Sequence, residues 1–511
     1  MSNPQQASPW VLELVPLVVV ILVVAHVLAL VSIYICPALI QAEMLLHSVI
    51  VTNSCWAQSR RPLVSTLFRC FSISSNSFAS ITSPEASHID EDFNDFLPWL
   101  EHKAAAKISS ALSIGKSSYG RGLYADKDIE TGDCLLKVPY SVQLSADNLP
   151  VEITCLLGDE VGNVAKVALL ILHEKKLGQN SEWAPYISCL PQAGDLHSTI
   201  FWSDDELAMI QPSALYEETL RQKALIEKDL CAVKLVFDRF PRHFRDVTLH
   251  EFTYAYGLVT SRAWGSSRDV SMIPFADFLN HDGTSEAYVL CNESKKHSEV
   301  IADRDFAPGD EVLIRYGKFS NATLLLDFGF TVSCNSYDQV QVELNIPQHD
   351  RLYTQKLELL DRHSTRSIKD VNEFTSSRNS FTIKEVKTGS KKGKGIPQSL
   401  RAFARILTCN SQEELNDLAL EAAQNDGRLA RYPLKNKNRE IAAHQLLLSE
   451  ISQLVEEHNK YIKLLVPAPP YLCGKSVLRR RLAQDLLTGE LRVLKSATAW
   501  LQNYCSTLLT K

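Results

Sequence analysis

Four polar side chains crowd one apolar stretch. Within SMIPFADFLNHDGTSEAYV, Ser271 to Val289, the residues Asp277, Asn280, His281 and Tyr288 stand in or close to an apolar run, Met272 to Leu279, that reads as core. A buried polar group must find a partner or destabilise the fold. The cluster therefore serves either a structural network or a bound ligand, and taken alone the structural reading carries more weight. A second candidate lies in GDEVLIRYGKFSNATLLLDFGF, Gly309 to Phe330. Tyr316 ends a strand pattern there and Gly317 follows at once, so a phenol stands at the mouth of a sheet where the chain turns away. A third, GRGLYA from Gly120 to Ala125, fits the dinucleotide fingerprint G-x-G-x-x-A. That chemistry needs a strand before the glycines and a helix after them, aimed at a pyrophosphate. The sequel here is DKDIETGDCLLKV, a turn and a strand, which excludes the fingerprint, although glycines still allow close backbone approach to a ligand.

The elements that must position these residues follow from periodicity. Apolar runs at Leu123–Ala125 and Leu135–Val138 flank the turn ETGD and read as short strands. From Val161 to about Thr260 the pattern becomes helical, and TLHEFTYAYGLVTSRAW opens on the capping box Thr248 to Glu251. Strands return beyond Ser271 in EAYVLC, EVLIRY and QVQVEL. The last third is almost wholly helical: SQEELNDLALEAAQ opens on a box from Ser411 to Glu414. The next helix carries a seam at His444, Leu448, Ile451, Val455, His458 and Ile462. The two histidines of that seam read as core or rim positions, and VKTGSKKGKGIP as a solvated loop.

Composition narrows the function. The 511 residues carry 53 basic and 59 acidic side chains, net −6, with 45% hydrophobic and 22% charged residues. This is ordinary for a globular protein of two or three domains and gives no footprint for nucleic acid. Twelve scattered cysteines show no C-x-x-C and no zinc spacing, so we expect no metal and mostly buried thiols in a reducing compartment.

The N-terminus holds two competing signals. Leu14 to Ile35 is uncharged, Val/Leu-rich and long enough to cross a bilayer. If it inserts, the arginines from Arg60 onward favour a membrane anchor with the rest of the chain in the cytosol. Between Met44 and Pro84 there is no Asp or Glu, ten serines, and Arg60, Arg61 and Arg69, the composition of a transit peptide. Translation from Met44 would make this an organelle protein of chloroplast or mitochondrion.

In order, GRGLYA, SRAWG (Ser261 to Gly265), PFADFLNHD and IRYGKFSNATLLLDFGF resemble the SET-domain protein methyltransferases. The match is nearest the branch typified by the plant Rubisco large-subunit lysine methyltransferase. EWAPYISCLPQ, IFWSDDEL and RLAQDLLTGELRVLKS extend it over roughly residues 95 to 505. No Cys-rich segment follows the SET motifs, which fits this branch. The resemblance implies an α+β fold: an N-terminal region over 1–94, a SET domain over 95–335 split by a helical insert at about 145–250, and a helical substrate-binding domain over 336–511.

It also implies S-adenosylmethionine as cofactor, a protein substrate bound through the C-terminal helices, and a monomer. By position, Asn280 and His281 bind the cofactor at a pseudoknot-like crossing, with the backbone around Tyr119, Gly120 and Arg121. Arg262 pairs with the cofactor's carboxylate, and Asp277 orders the crossing or touches substrate. Tyr316 inherits the catalytic role, aligning amine and methyl group. Tyr288 lines the lysine channel across a short loop, and Phe328 replaces the tyrosine of DYGF in many relatives, which leaves the number of methyl groups added open. The implied activity is lysine N-methylation of a non-histone protein. The alternatives are histidine methylation on the same fold, or a non-catalytic scaffold.

Overall fold

The computed structural model describes residues 93–510, apart from 118–119, 245, 267–268, 364–371, 375–378, 391 and 467–473. The chain enters through helix α1 (Phe96–Ala104), which buries Phe96 and Leu100. Strands β1 (Leu112–Ser117) and β2 (Gly120–Ala125) then pair antiparallel, Leu112 opposite Ala125. GRGLYA is thus a ladder strand with no helix behind it, which disposes of the dinucleotide fingerprint on geometry. After β3 (Cys134–Pro139) and the two-residue β4 (Leu144–Ser145), helices take over until Arg262. They include α2 (Asn163–Leu177), α3 (Ala214–Arg239) and α4 (Leu249–Arg262). The box at the start of α4 forms as its sequence predicts: Thr248 Oγ1 accepts from Glu251 N–H, and the Glu251 carboxylate accepts from Thr248 N–H.

Strands resume as β5 (Ala263–Ser266), β6 (Asp269–Met272), β7 (Asn280–His281), β8 (Leu290–Asn292), β9 (His297–Ile301) and β10 (Glu311–Ile314). They form three small sheets of order β1-β2-β10-β7, β3-β9-β8 and β4-β6-β5. In the first, β10 is antiparallel to β2 but parallel to β7, with Leu313 opposite Asn280 and Ile314 opposite His281. A parallel pair needs a crossover connection. The segment between β7 and β10 supplies it, so the Asn-His pair lies where the chain crosses itself.

The C-terminal region adds a two-stranded sheet, β11 (Gln339–Glu343) with β12 (Ser380–Lys384), to helices α5 (Gln398–Leu407), α6 (Gln412–Ala423), α7 (Lys437–Leu465) and α8 (Gly474–Thr510). Val340, Val342, Phe381 and Ile383 alternate along the sheet and meet Leu447 and Ile451 of α7 and Val493, Leu494, Ala497 and Leu501 of α8 in one core. The other half of α8 belongs to the larger core, where Leu482, Ala483, Leu486 and Leu487 pack with strands of the β1 to β10 region and the helices between β4 and β5. His444 and His458 are buried on the α7 seam, as core histidines should be; His458 Nε2 bonds Glu490 of α8 at 3.0 Å.

The apolar run 14–35 and the serine-rich segment 44–84 lie outside the described residues. Among those described, no helix is long and apolar enough to cross a membrane.

Candidate functional site

The site is assembled at the β7/β10 crossing. The chain approaches β7 through a buried backbone kink: Phe275 has φ +73° and ψ −46°, the geometry of a tight three-residue turn. A bulky residue there stores strain, and such strain concentrates at functional sites. The turn carries Asp277 inward against Tyr186, whose hydroxyl donates to Oδ2 at 2.8 Å. Arg262, at the end of α4, donates through one NH group to the Asp277 carbonyl at 2.8 Å and to its carboxylate at 3.3 Å. Burial pushes the Asp277 carboxyl upward, opposed by the Arg262 charge and the Tyr186 hydrogen bond. Asp277 Oδ1 and Arg262 Nε stay buried without a described partner.

Asn280 is held from two sides. Its Nδ2 donates to the Arg121 carbonyl at 2.9 Å and to Glu311 Oε1 at 2.9 Å. Arg121 itself lies on β2, its guanidinium 3.8 Å from the ring of Phe93 and bonded to the Cys189 carbonyl. Gly120 opens the same strand, exposed and at φ +111°. Tyr119 lies outside the described residues.

His281 and Tyr316 form the centre. Tyr316 N–H donates to His281 Nδ1 at 3.1 Å, so this nitrogen is the acceptor and the imidazole is neutral with its proton on Nε2. Burial agrees, lowering the His281 pKa to about 4. The Tyr316 hydroxyl donates to the Leu279 carbonyl at 2.7 Å, and desolvation pushes its pKa up. It is a neutral phenol whose oxygen keeps lone pairs to offer. Around it stand Phe328 at 5.0 Å between ring centres, His281 at 5.2 Å, Phe330 at 6.4 Å and Trp264 at 6.5 Å edge-on.

Phe328 reaches this ring cluster from a single turn of π-helix, Leu324–Phe328, a distortion often found at functional sites. The turn closes when Gly329 N–H donates to Leu324 O at 2.9 Å, and Gly329 sits at φ +81°. A Cβ there would come within 2.5 Å of Ser198 N, so the segment around Ser198 packs directly on the turn that aims Phe328.

The structure thus brings Arg121, Arg262, Asp277, Asn280, His281, Tyr316 and Phe328 into one hydrogen-bonded and aromatic assembly. Tyr288 is 52% exposed and belongs to none of the ring pairs around Tyr316. Sequence reasoning assigned no role to Trp264, Tyr186, Phe330 or Glu311. All four lie inside stretches singled out as motifs, but nothing in their spacing says that they face the same point. Among the described residues no group of His, Cys, Asp and Glu could hold a metal ion.

Comparison with known proteins decides the family. The SET domain matches residues 120–317, and the Rubisco LSMT substrate-binding domain matches residues 347–494. This chain is a SET-domain protein with a Rubisco LSMT substrate-binding domain. An Arabidopsis thaliana [fructose-bisphosphate aldolase]-lysine N-methyltransferase, chloroplastic, is 27% identical over 304 residues, 57% of this chain and 62% of that protein. The Nicotiana tabacum ribulose-1,5 bisphosphate carboxylase/oxygenase large subunit N-methyltransferase, chloroplastic, is 26% identical over 80% of this chain and 81% of its own length. The actin-histidine N-methyltransferase of Mus musculus is 28% identical over 80% of this chain and 68% of its own length. Among solved structures, Rubisco LSMT bound to sinefungin and monomethyllysine superposes with a TM-score of 0.63 at 21% identity, covering 82% of this SET-domain chain and 93% of that one. The likeness bears out the SET fold with its helical C-terminal region.

Proposed function

We propose that this SET-domain protein is an S-adenosylmethionine-dependent protein-lysine N-methyltransferase acting on a non-histone protein. The observation that carries it is the Tyr316 hydroxyl, tied to Leu279 O at the chain crossing and ringed by Trp264, His281, Phe328 and Phe330.

The residues present fit the cofactor. Arg262 combines a cation with a buried Nε that lacks a described partner, Asn280 keeps an open Oδ1, and Arg121 and Gly120 offer backbone on β2. Bound there, the cofactor supplies an electrophilic methyl group on a positively charged sulfur. The chain's own residues do the rest. A free lysine amine has a pKa near 10.4, so it must be stripped of its proton before it can attack. The aromatic walls desolvate it, which favours the neutral amine. Tyr316 does not serve as a strong base, because burial holds its phenol protonated. Its oxygen accepts from the amine while its own O–H keeps donating to the Leu279 carbonyl, fixing the line of attack. His281 holds the Tyr316 backbone in place as a neutral acceptor. The bare ring of Phe328 loses no hydrogen bond as methyl groups accumulate, which suits an amine methylated more than once.

Both lysine- and histidine-specific methyltransferases are among the relatives, so the target atom is tested directly. Labelled methyl transfer into organelle and cytosolic extracts, with the labelled residue located by peptide mass spectrometry, should place the label on lysine. Label on histidine would establish the other chemistry, and no transfer with intact cofactor binding would favour the scaffold. We further propose that the C-terminal helices choose the protein substrate, that the enzyme is monomeric, and that it works in an organelle after translation from Met44. The chloroplastic relatives support that location. Tyr288, exposed on the segment after His281, is proposed to line the substrate's approach, and Asp277 to order the crossing.

A further inference from the structure

The second glycine of GRGLYA and a glutamate far along the chain meet over Asn280. Gly122 is buried in β2, and a Cβ on it would lie 2.5 Å from Glu311 Oε1 and 3.1 Å from Asn280 Nδ2. Only a hydrogen fits beneath that contact. Glu311 begins β10 and Asn280 begins β7, parallel neighbours in which Leu313 stands opposite Asn280. Alternate residues share a face, so Glu311 is one same-face step from Asn280's partner and reaches diagonally to it.

The two partners of Asn280 Nδ2, the Arg121 carbonyl and the Glu311 carboxylate, can only accept. The carboxamide is therefore fixed with its NH2 toward both. Turned over, it would set Oδ1 against two acceptors. As placed, Oδ1 accepts from no described residue, and it is the atom left to receive a donor from a ligand. Without the carboxylate, one carbonyl would hold the group, and either amide hydrogen could serve it.

We propose that Glu311 is a positioning residue for cofactor binding: it locks the Asn280 carboxamide so that Oδ1 faces the ammonium group of S-adenosylmethionine. This rests on the methyltransferase reading. Arg262 suits the cofactor's carboxylate, and an acceptor on the Asn280 side suits its ammonium. Gly122 serves the same end by leaving room for the carboxylate.

The test is calorimetric, on the full chain, with S-adenosylhomocysteine and 5′-methylthioadenosine as probes; the second lacks the amino-acid moiety altogether. Glu311→Gln keeps an Oε1 acceptor and should bind S-adenosylhomocysteine within about threefold of wild type. Glu311→Leu removes the acceptor and should weaken it about tenfold, as expected for one lost hydrogen bond to a charged group. It should leave methylthioadenosine unaffected. On an Asn280→Ala background Glu311→Leu should have no further effect, because its influence runs through that side chain. Equal losses in both backgrounds, or weakened binding of both probes, would overturn the proposal and leave Glu311 a strand tie. If Glu311→Leu does not fold, Asn280→Asp sets two carboxylates face to face; adding Glu311→Gln should then restore affinity several-fold, and failure to do so counts against the lock. A wild-type chain that binds neither probe would bring down the methyltransferase reading itself.

Discussion

Replacing Tyr316 by phenylalanine removes one oxygen and leaves the ring, with its contacts to Phe328, His281, Phe330 and Trp264, in place. Two consequences can be separated. The fold loses the hydrogen bond to the Leu279 carbonyl, 2.7 Å long, and the carbonyl loses its partner. That costs about 1 kcal/mol, the usual net worth of such a bond. The backbone bond from Tyr316 N–H to His281 Nδ1 is untouched. Catalysis loses the acceptor that aligns the amine. One preorganised polar contact in a transition state is worth about two orders of magnitude in rate, which is ~2.7 kcal/mol. Turnover at saturating cofactor and substrate should therefore fall about a hundredfold, with cofactor affinity and melting temperature little changed. The measurements are single-turnover methyl transfer and calorimetry on the same preparation. Near wild-type turnover would refute the alignment role, and a matching loss of cofactor affinity would recast Tyr316 as structural.

Three further outcomes follow from the same contacts. Phe328→Tyr restores a hydroxyl opposite Tyr316 and should lower the number of methyl groups added per target while changing the first transfer less; intact-mass analysis of the product distinguishes these, and an unchanged methylation state would remove Phe328 from the channel. Arg262→Ala should weaken cofactor binding by about 1.5 to 3 kcal/mol and, because Asp277 is left buried without its cation, destabilise the fold by about 3 kcal/mol. Adding Asp277→Asn should recover the melting temperature and not the affinity, and recovery of both would make Arg262 a purely structural partner. His281 has a folded-state pKa lowered to about 4 from an ordinary 6.5, so its contribution is complete above pH 6.5 and is lost as pH falls from there through 4. With its partial exposure allowed for, the loss is on the order of 2 kcal/mol. The stability difference between wild type and His281→Asn should shrink over that window in chemical denaturation; a difference independent of pH would mean that His281 does not need to stay neutral.

The legible and the illegible parts of this site differ in a physical way. Asn280, His281 and Tyr316 stand out locally, as a polar pair inside an apolar run and a phenol at a strand's end before a glycine, but that pattern alone favours a structural role, and the ordered resemblance of four motifs is what assigns them to a site. The capping box at Thr248 and the seam on α7 were readable directly, since helix periodicity and caps are short-range. The shared box at Ser411 formed only in part: its hydroxyl accepts from Glu414 N–H, but the Glu414 carboxylate returns to Asn410 N–H, one residue further out. What spacing could not show was the company these residues keep across the fold. Tyr186 reaches Asp277 over 91 residues, and Glu311 reaches Asn280 over a parallel strand pair. The largest such case is α8. Its periodic apolar face reads as one uniform stripe, yet Leu482 to Leu487 enter the SET core and Val493 to Leu501 enter the core beside β11 and β12. A helix that supplies both cores makes the C-terminal region more than an appended recognition module. Removing it would strip apolar side chains from the half that carries Tyr316, so loss of activity on truncation would report on the SET core as much as on substrate choice. Changes confined to exposed side chains outside α8, such as Leu420 on α6 or Tyr432 after it, are the ones that can separate recognition from folding.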